Sequence, residues 1–67
     1  MDADSGLASV PEPIRVLVVE DEPDLRSALA ETLALDGHAV QDAGNGAVAL
    51  ELALIHRPHV VVFDFLQ

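Results

Sequence analysis

Two uninterrupted apolar runs, Val16-Leu17-Val18-Val19 and Val60-Val61-Val62-Phe63, stand out along the chain, and each stops abruptly at acid. Glu20-Asp21-Glu22 follows the first and Asp64 the second. Short β-branched runs of this kind predict strands buried on both faces, as in a parallel sheet covered by helices. Between them the period changes. Leu25, Ala28, Leu29, Thr32 and Leu33 recur at helical spacing, with Arg26, Ser27 and Glu31 elsewhere on the wheel. Pro23 suits the first helical position, Glu22 and Asp24 suit the positive end of the dipole, and Gly37 supplies the stop. His38 to Ala43 alternates weakly and predicts a short, exposed strand at a sheet edge. After the Gly44-Asn45-Gly46 turn, Ala47 to His56 predicts a second helix with Ala49, Leu50, Ala53 and Leu54 on one stripe, ended by Pro58. Residues 1–13 show no periodicity and predict a flexible leader, with the structured part expected over 14–67.

The order strand, helix, strand, helix, strand, with connections this short, requires right-handed parallel crossovers. The expected fold is therefore α/β: half of a doubly wound parallel sheet, β-α-β-α-β, with strand order 2-1-3. Length tempers this. A chain of 67 residues buries only about 60% of its unfolded surface, and burial barely offsets chain entropy without a staple. Cysteine is absent, which excludes disulfides and thiolate metal sites and suits a reducing cytoplasm, the expected location. Twelve acids against three arginines give a net charge of -9, arguing against direct contact with nucleic acid or an anionic membrane. The apolar runs are far too short for a membrane span, and Met1-Asp2-Ala3-Asp4 lacks the basic start of a signal peptide.

The acids at the strand ends carry the candidate chemistry. In an open parallel sheet, ligands bind outside the carboxyl ends of the strands at the topological switch point. With order 2-1-3 the first and third strands are neighbours, about 5 Å apart, so Glu20, Asp21 and Asp64 are expected to converge. Carboxylates that close protonate or hold a hard cation, and magnesium, with its preference for oxygen ligands and retained waters, is the natural candidate. Glu22 and Asp24 need no more than a place at a helix start.

Residues 14–67 resemble the first half of a bacterial response-regulator receiver domain, a flavodoxin-like phosphoacceptor module. The likeness rests on Arg15 to Arg26 (RVLVVEDEPDLR), Leu33, Gly37 to Val40 (GHAV), Ala43, Gly46, Ala49-Leu50, and Pro58 to Asp64 (PHVVVFD). It implies that Asp64 is the phosphoacceptor, attacking the phosphohistidine of a sensor histidine kinase. It also implies that Asp21 binds Mg2+ directly, Glu20 through water, and the backbone carbonyl of Leu66 as a further ligand. The Glu20-Asp21 pair looks most like receivers of transcription-factor response regulators, and such two-component signalling proteins are not counted as enzymes. The exposed side of the first helix, Arg26 included, would face the kinase. The likeness has gaps. The hydroxyl of the family's fourth strand and the lysine of its fifth lie beyond Gln67, His59 replaces a usual Asp, and Gln67 a usual apolar residue.

Two enzyme-class readings compete. Gly44-x-Gly46-x-x-Ala49, with Asp64 twenty residues after Gly44, matches a dinucleotide-binding fingerprint, but it follows a polar, edge-like strand and gives Glu20-Asp21 no role. Val62 to Leu66 resembles the nucleophile strand of haloacid-dehalogenase-type phosphatases, but Leu66 stands where those have a general acid. His56 and His59 are separated by Pro58 and lack a third metal ligand nearby. A third reading is a truncated, non-signalling interaction module. A sheet cut after its third strand leaves Val60 to Phe63 as an open edge and removes one helical layer, so self-association is expected.

Overall fold

The computed structural model describes residues 13–63. Strand β1 (Arg15–Val19) leads into helix α1 (Pro23–Leu35), strand β2 (Ala39–Ala43), helix α2 (Gly46–His56) and strand β3 (Val60–Phe63). The three strands form one parallel sheet in the order β2-β1-β3, the partial flavodoxin-like arrangement expected. Val16 pairs with Val40 on one side and Val60 on the other, and Val19 with Ala43 and Phe63. The central strand is thus hydrogen-bonded on both sides, and it forms most of the core. Leu17 is 2% exposed and Val18 0%.

Local chemistry sets the element ends. Glu22 caps α1, its carboxylate accepting from Asp24 N and Leu25 N at 3.3 and 2.9 Å, and Pro23 fills the first position. Gly37, at φ 94°, ends the helix in a Schellman arrangement. Its N–H donates to Ala34 O at 3.0 Å and that of His38 to Leu33 O at 3.2 Å. His38 belongs to this cap, so β2 begins one residue later than the alternation predicts. Asn45 caps α2 through Val48 N at 2.9 Å, and Arg57 closes it in the left-handed region at φ 51°.

The crossover from β1 to β2 and the one from β2 to β3 run in opposite directions across the sheet, so right-handedness places one helix on each face. On the α2 face, Leu17, Val19, Ala43 and Ala49 form a cluster, with Leu52 and Ala53 packed against it. Val16 and Val18 alternate to the α1 face and are equally buried. The expected loss of one helical layer is corrected: both layers are present, but neither helix lies over β3. Val60, Val61 and Phe63 are 40–51% exposed as a result, so β3 is an edge strand and not one covered on both faces.

Both helical stripes are also corrected. In α1 the half-buried positions are Arg26, Leu29, Ala30 and Leu33, while Leu25, Ala28 and Thr32 are exposed and no residue is fully buried. The sheet-facing stripe is rotated toward Arg26, whose side chain is held beneath the β1 loop. In α2, Ala49, Leu52 and Ala53 face the core, whereas Leu50 and Leu54 are 64% and 72% exposed.

Arg15 ties the opposite end of the sheet together. Its Nε donates to the carbonyls of His56 and Arg57 at 3.0 and 3.1 Å, satisfying the C-terminus of α2. His59 Nδ1 accepts from Arg15 N at 3.0 Å, while His59 N donates to Arg15 O at 2.8 Å. Both histidines thus serve the α2–β3 connection. A cavity of about 50 Å3 lies at this end, lined by Arg15, Ala39, Leu52 and Pro58, away from the acidic loop.

Candidate functional site at the carboxyl end of the sheet

Glu20 follows the last residue of β1 and is 4% exposed, a buried charged group. Its surroundings explain how it is tolerated there. Its N–H extends the β1–β2 ladder to Ala43 O at 3.1 Å, its carboxylate Oε2 accepts from Glu22 N at 2.9 Å, and its carbonyl accepts from Arg26 Nη1 at 3.0 Å. Asp21, one residue on, is exposed. The sequence-predicted pair therefore divides into a buried, anchored Glu20 and a solvent-facing Asp21. Glu22 and Asp24 take the structural places expected of them, Glu22 as the cap of α1 and Asp24 in its first turn.

Asp64, Leu66 and Gln67 lie outside the described residues, so the expected convergence of Asp64 with Glu20 and Asp21 rests on register alone. Phe63 pairs with Val19, and Glu20 and Asp64 are the residues that follow these two in the sequence. Among the described residues, no three His, Asp or Glu side chains gather closely enough to hold a metal ion. The donors present are hard carboxylate oxygens, which suit magnesium better than a softer metal.

Arg26 is the residue that the sequence reading misplaced. Expected on the exposed side of α1, it is half-buried, with its guanidinium against both Glu20 and Gly44. A Cβ on Gly44 would lie 2.6 Å from Arg26 Nη1. A signal existed: Arg26, Leu29, Ala30 and Leu33 follow the i, i+3, i+4, i+7 spacing of a sheet-facing stripe.

The same contact weakens the dinucleotide reading. The space at Gly44, where a pyrophosphate would approach the backbone, holds Arg26, and Asn45 Oδ1 takes up the Val48 N–H at the helix start. The preceding strand is β2, at the sheet edge. All of these features oppose the fingerprint.

Fold and site define a segment of a flavodoxin-like α/β unit with an acidic loop at the carboxyl end of its central strand. Comparison with known proteins gives the relationship a name: the homologues of this chain are response regulators. Transcriptional regulatory protein PdtaR of Mycobacterium tuberculosis (strain CDC 1551 / Oshkosh) is 44% identical over 64 residues, 94% of this chain and 29% of that protein. Response regulator MprA of Mycobacterium sp. (strain KMS) is 39% identical over 55 residues, 82% of this chain and 24% of that protein. Probable transcriptional regulatory protein NarL of Mycobacterium tuberculosis (strain CDC 1551 / Oshkosh) is 40% identical over 57 residues, 82% and 26%. The chain thus spans 24–29% of the length of these relatives. No family model matches it, and no solved structure matches it. Among the described residues no helix is long and apolar enough to cross a membrane.

Proposed function

We propose that this chain is a receiver segment of a two-component response regulator, taking a phosphoryl group from a sensor histidine kinase onto Asp64 with Mg2+. The observation that carries the reading is the pairing of Val19 with Phe63, which sets the carboxyl ends of β1 and β3 at one level of the sheet. Homology to response regulators supports it.

In this mechanism Asp21 and Asp64 would hold a magnesium ion directly, Glu20 would do so through water, and the Leu66 carbonyl would complete the protein's ligands. Bound magnesium neutralises phosphoryl oxygens, the main help that phosphoryl transfer asks for besides positioning. The chain's own residues do the rest. A carboxylate oxygen of Asp64 forms the new bond to phosphorus, and the bond from phosphorus to the donor imidazole nitrogen breaks. The electron pair leaves with that nitrogen, and Asp64 carries an acyl phosphate. The segment is a signalling acceptor and not an enzyme turning over a substrate, and it works in the cytoplasm without contacting nucleic acid.

Incubation with acetyl phosphate tests this. A magnesium-dependent, base-labile mass gain of one phosphoryl group, abolished in Asp64→Ala, is expected. Phosphorylation that persists in Asp64→Ala overturns the assignment. The exposed Val60, Val61 and Phe63 at the β3 edge favour a second property, self-association through that edge. Sedimentation at micromolar concentration is expected to show dimers or larger species, and a compact, cooperatively melting monomer refutes it.

A further inference from the structure

Asp21 has an exposed side chain, yet the peptides on either side of it are held. The carbonyl of Glu20 accepts from Arg26 Nη1 at 3.0 Å, and the N–H of Glu22 donates to Glu20 Oε2 at 2.9 Å. Because a peptide unit is planar, fixing one of its polar atoms fixes the direction of its neighbour. The two bonds therefore restrain φ and ψ of Asp21, leaving its carboxylate the side-chain rotations. Arg26 comes from the first turn of α1, whose backbone is itself anchored by Arg26 N to Glu22 O at 2.9 Å. The guanidinium reaches the Glu20 carbonyl through space left open at Gly44, where any Cβ would meet Nη1 at 2.6 Å.

We propose that Arg26 is a positioning residue for magnesium binding by Asp21, with Gly44 as the socket that admits its guanidinium. This rests on the magnesium reading given above. Arg26 does not touch the cation; it acts through the peptide between Glu20 and Asp21. The sign of its effect separates positioning from charge. A nearby positive group repels a cation, so if charge alone acted, removing it would tighten magnesium binding. Positioning requires the opposite, a loss on the scale of removing an outer-shell partner, about ten-fold or more.

The test measures magnesium affinity by calorimetry on the 67-residue chain and on Arg26→Met, Gly44→Ala, the double variant and Arg26→Lys, alongside metal-free thermal stability. Arg26→Met and Gly44→Ala are each expected to lose about ten-fold in affinity. The double variant loses no more than either alone, because both act through one contact. Arg26→Lys, which keeps a donor for the Glu20 carbonyl, recovers most of the affinity. Unchanged or tighter binding by Arg26→Met overturns the proposal, as do losses that multiply in the double variant. Should Arg26→Met fail to fold, weak binding by Gly44→Ala with near-normal binding by Arg26→Lys supports the proposal, and any other combination overturns it. A wild-type chain that takes up no magnesium refutes the metal reading as well, whereas normal wild-type binding with an indifferent Arg26→Met refutes this inference alone.

Discussion

Truncating Leu17 to alanine tests the placement of the core on the central strand. Leu17 is 2% exposed and packs in the cluster with Val19, Ala43 and Ala49. The change removes three carbon atoms, about 0.8 kcal/mol each in lost transfer energy, or about 2.4 kcal/mol. A closed void would add a cavity penalty. Leu17, however, lines an open groove of about 280 Å3 beside Val61 and Phe63, as well as the small cavity at the other end of the sheet. The deletion widens existing openings and creates little enclosed space. The expected cost is therefore about 2–3 kcal/mol, the low end for buried leucine. A single core of this size supplies only about 3–5 kcal/mol, so the variant should be largely unfolded at modest urea. Leu35→Ala is the control, since Leu35 is 84% exposed and its loss should stay within about 0.5 kcal/mol. Tryptophan and tyrosine are absent, so the assay is urea unfolding followed by helical circular dichroism. A Leu17→Ala cost below about 1 kcal/mol, or no larger than that of Leu35→Ala, would refute the placement of the core.

Substitutions at three further positions probe local devices. His59→Asp keeps an acceptor for the Arg15 N–H and should leave the melting temperature nearly unchanged, whereas His59→Ala should cost about 1 kcal/mol in urea unfolding. Gly37→Ala should cost about 1–2 kcal/mol by the same assay, because open space surrounds the position and its φ of 94° alone opposes a side chain. Asn45→Ala should cost about 1 kcal/mol through loss of the α2 cap. It should also leave NAD without effect on melting, as in the wild-type chain.

The parallel sheet and its strand order were legible because β1 and β3 are continuous apolar runs and β2 is not. Glu22, Pro23 and Gly37 were legible as helix punctuation because each has one local role. The helix faces were harder. Nearly all of α2 is apolar, with Glu51 the exception before His56, so composition gives no polar side from which to orient it. Periodicity in α1 selected apolar residues, and it passed over Arg26 because an arginine counts as polar whether its head meets solvent or a backbone carbonyl. The exposure of β3 depends on cover from elsewhere, which a run of valines does not report. At the site, acids after an apolar strand identified Glu20 and Asp21, but their division into a buried anchor and an exposed carboxylate depends on the Ala43, Glu22 and Arg26 contacts. The receiver likeness implies Asp at position 59, and the histidine there still offers an acceptor, an equivalence visible once Arg15 N lies 3.0 Å from Nδ1.

The proposed site joins acids that follow two strands, far apart in sequence, on one cation. Magnesium titration of the nitrogen-15-labelled chain tests it most directly, following the amides of Asp21 and Asp64 together. Both are expected to shift along one saturation curve, with Asp21→Asn weakening the response at Asp64 and Asp64→Asn weakening it at Asp21. Saturation at one residue without the other, or no saturable shift at either, would contradict it.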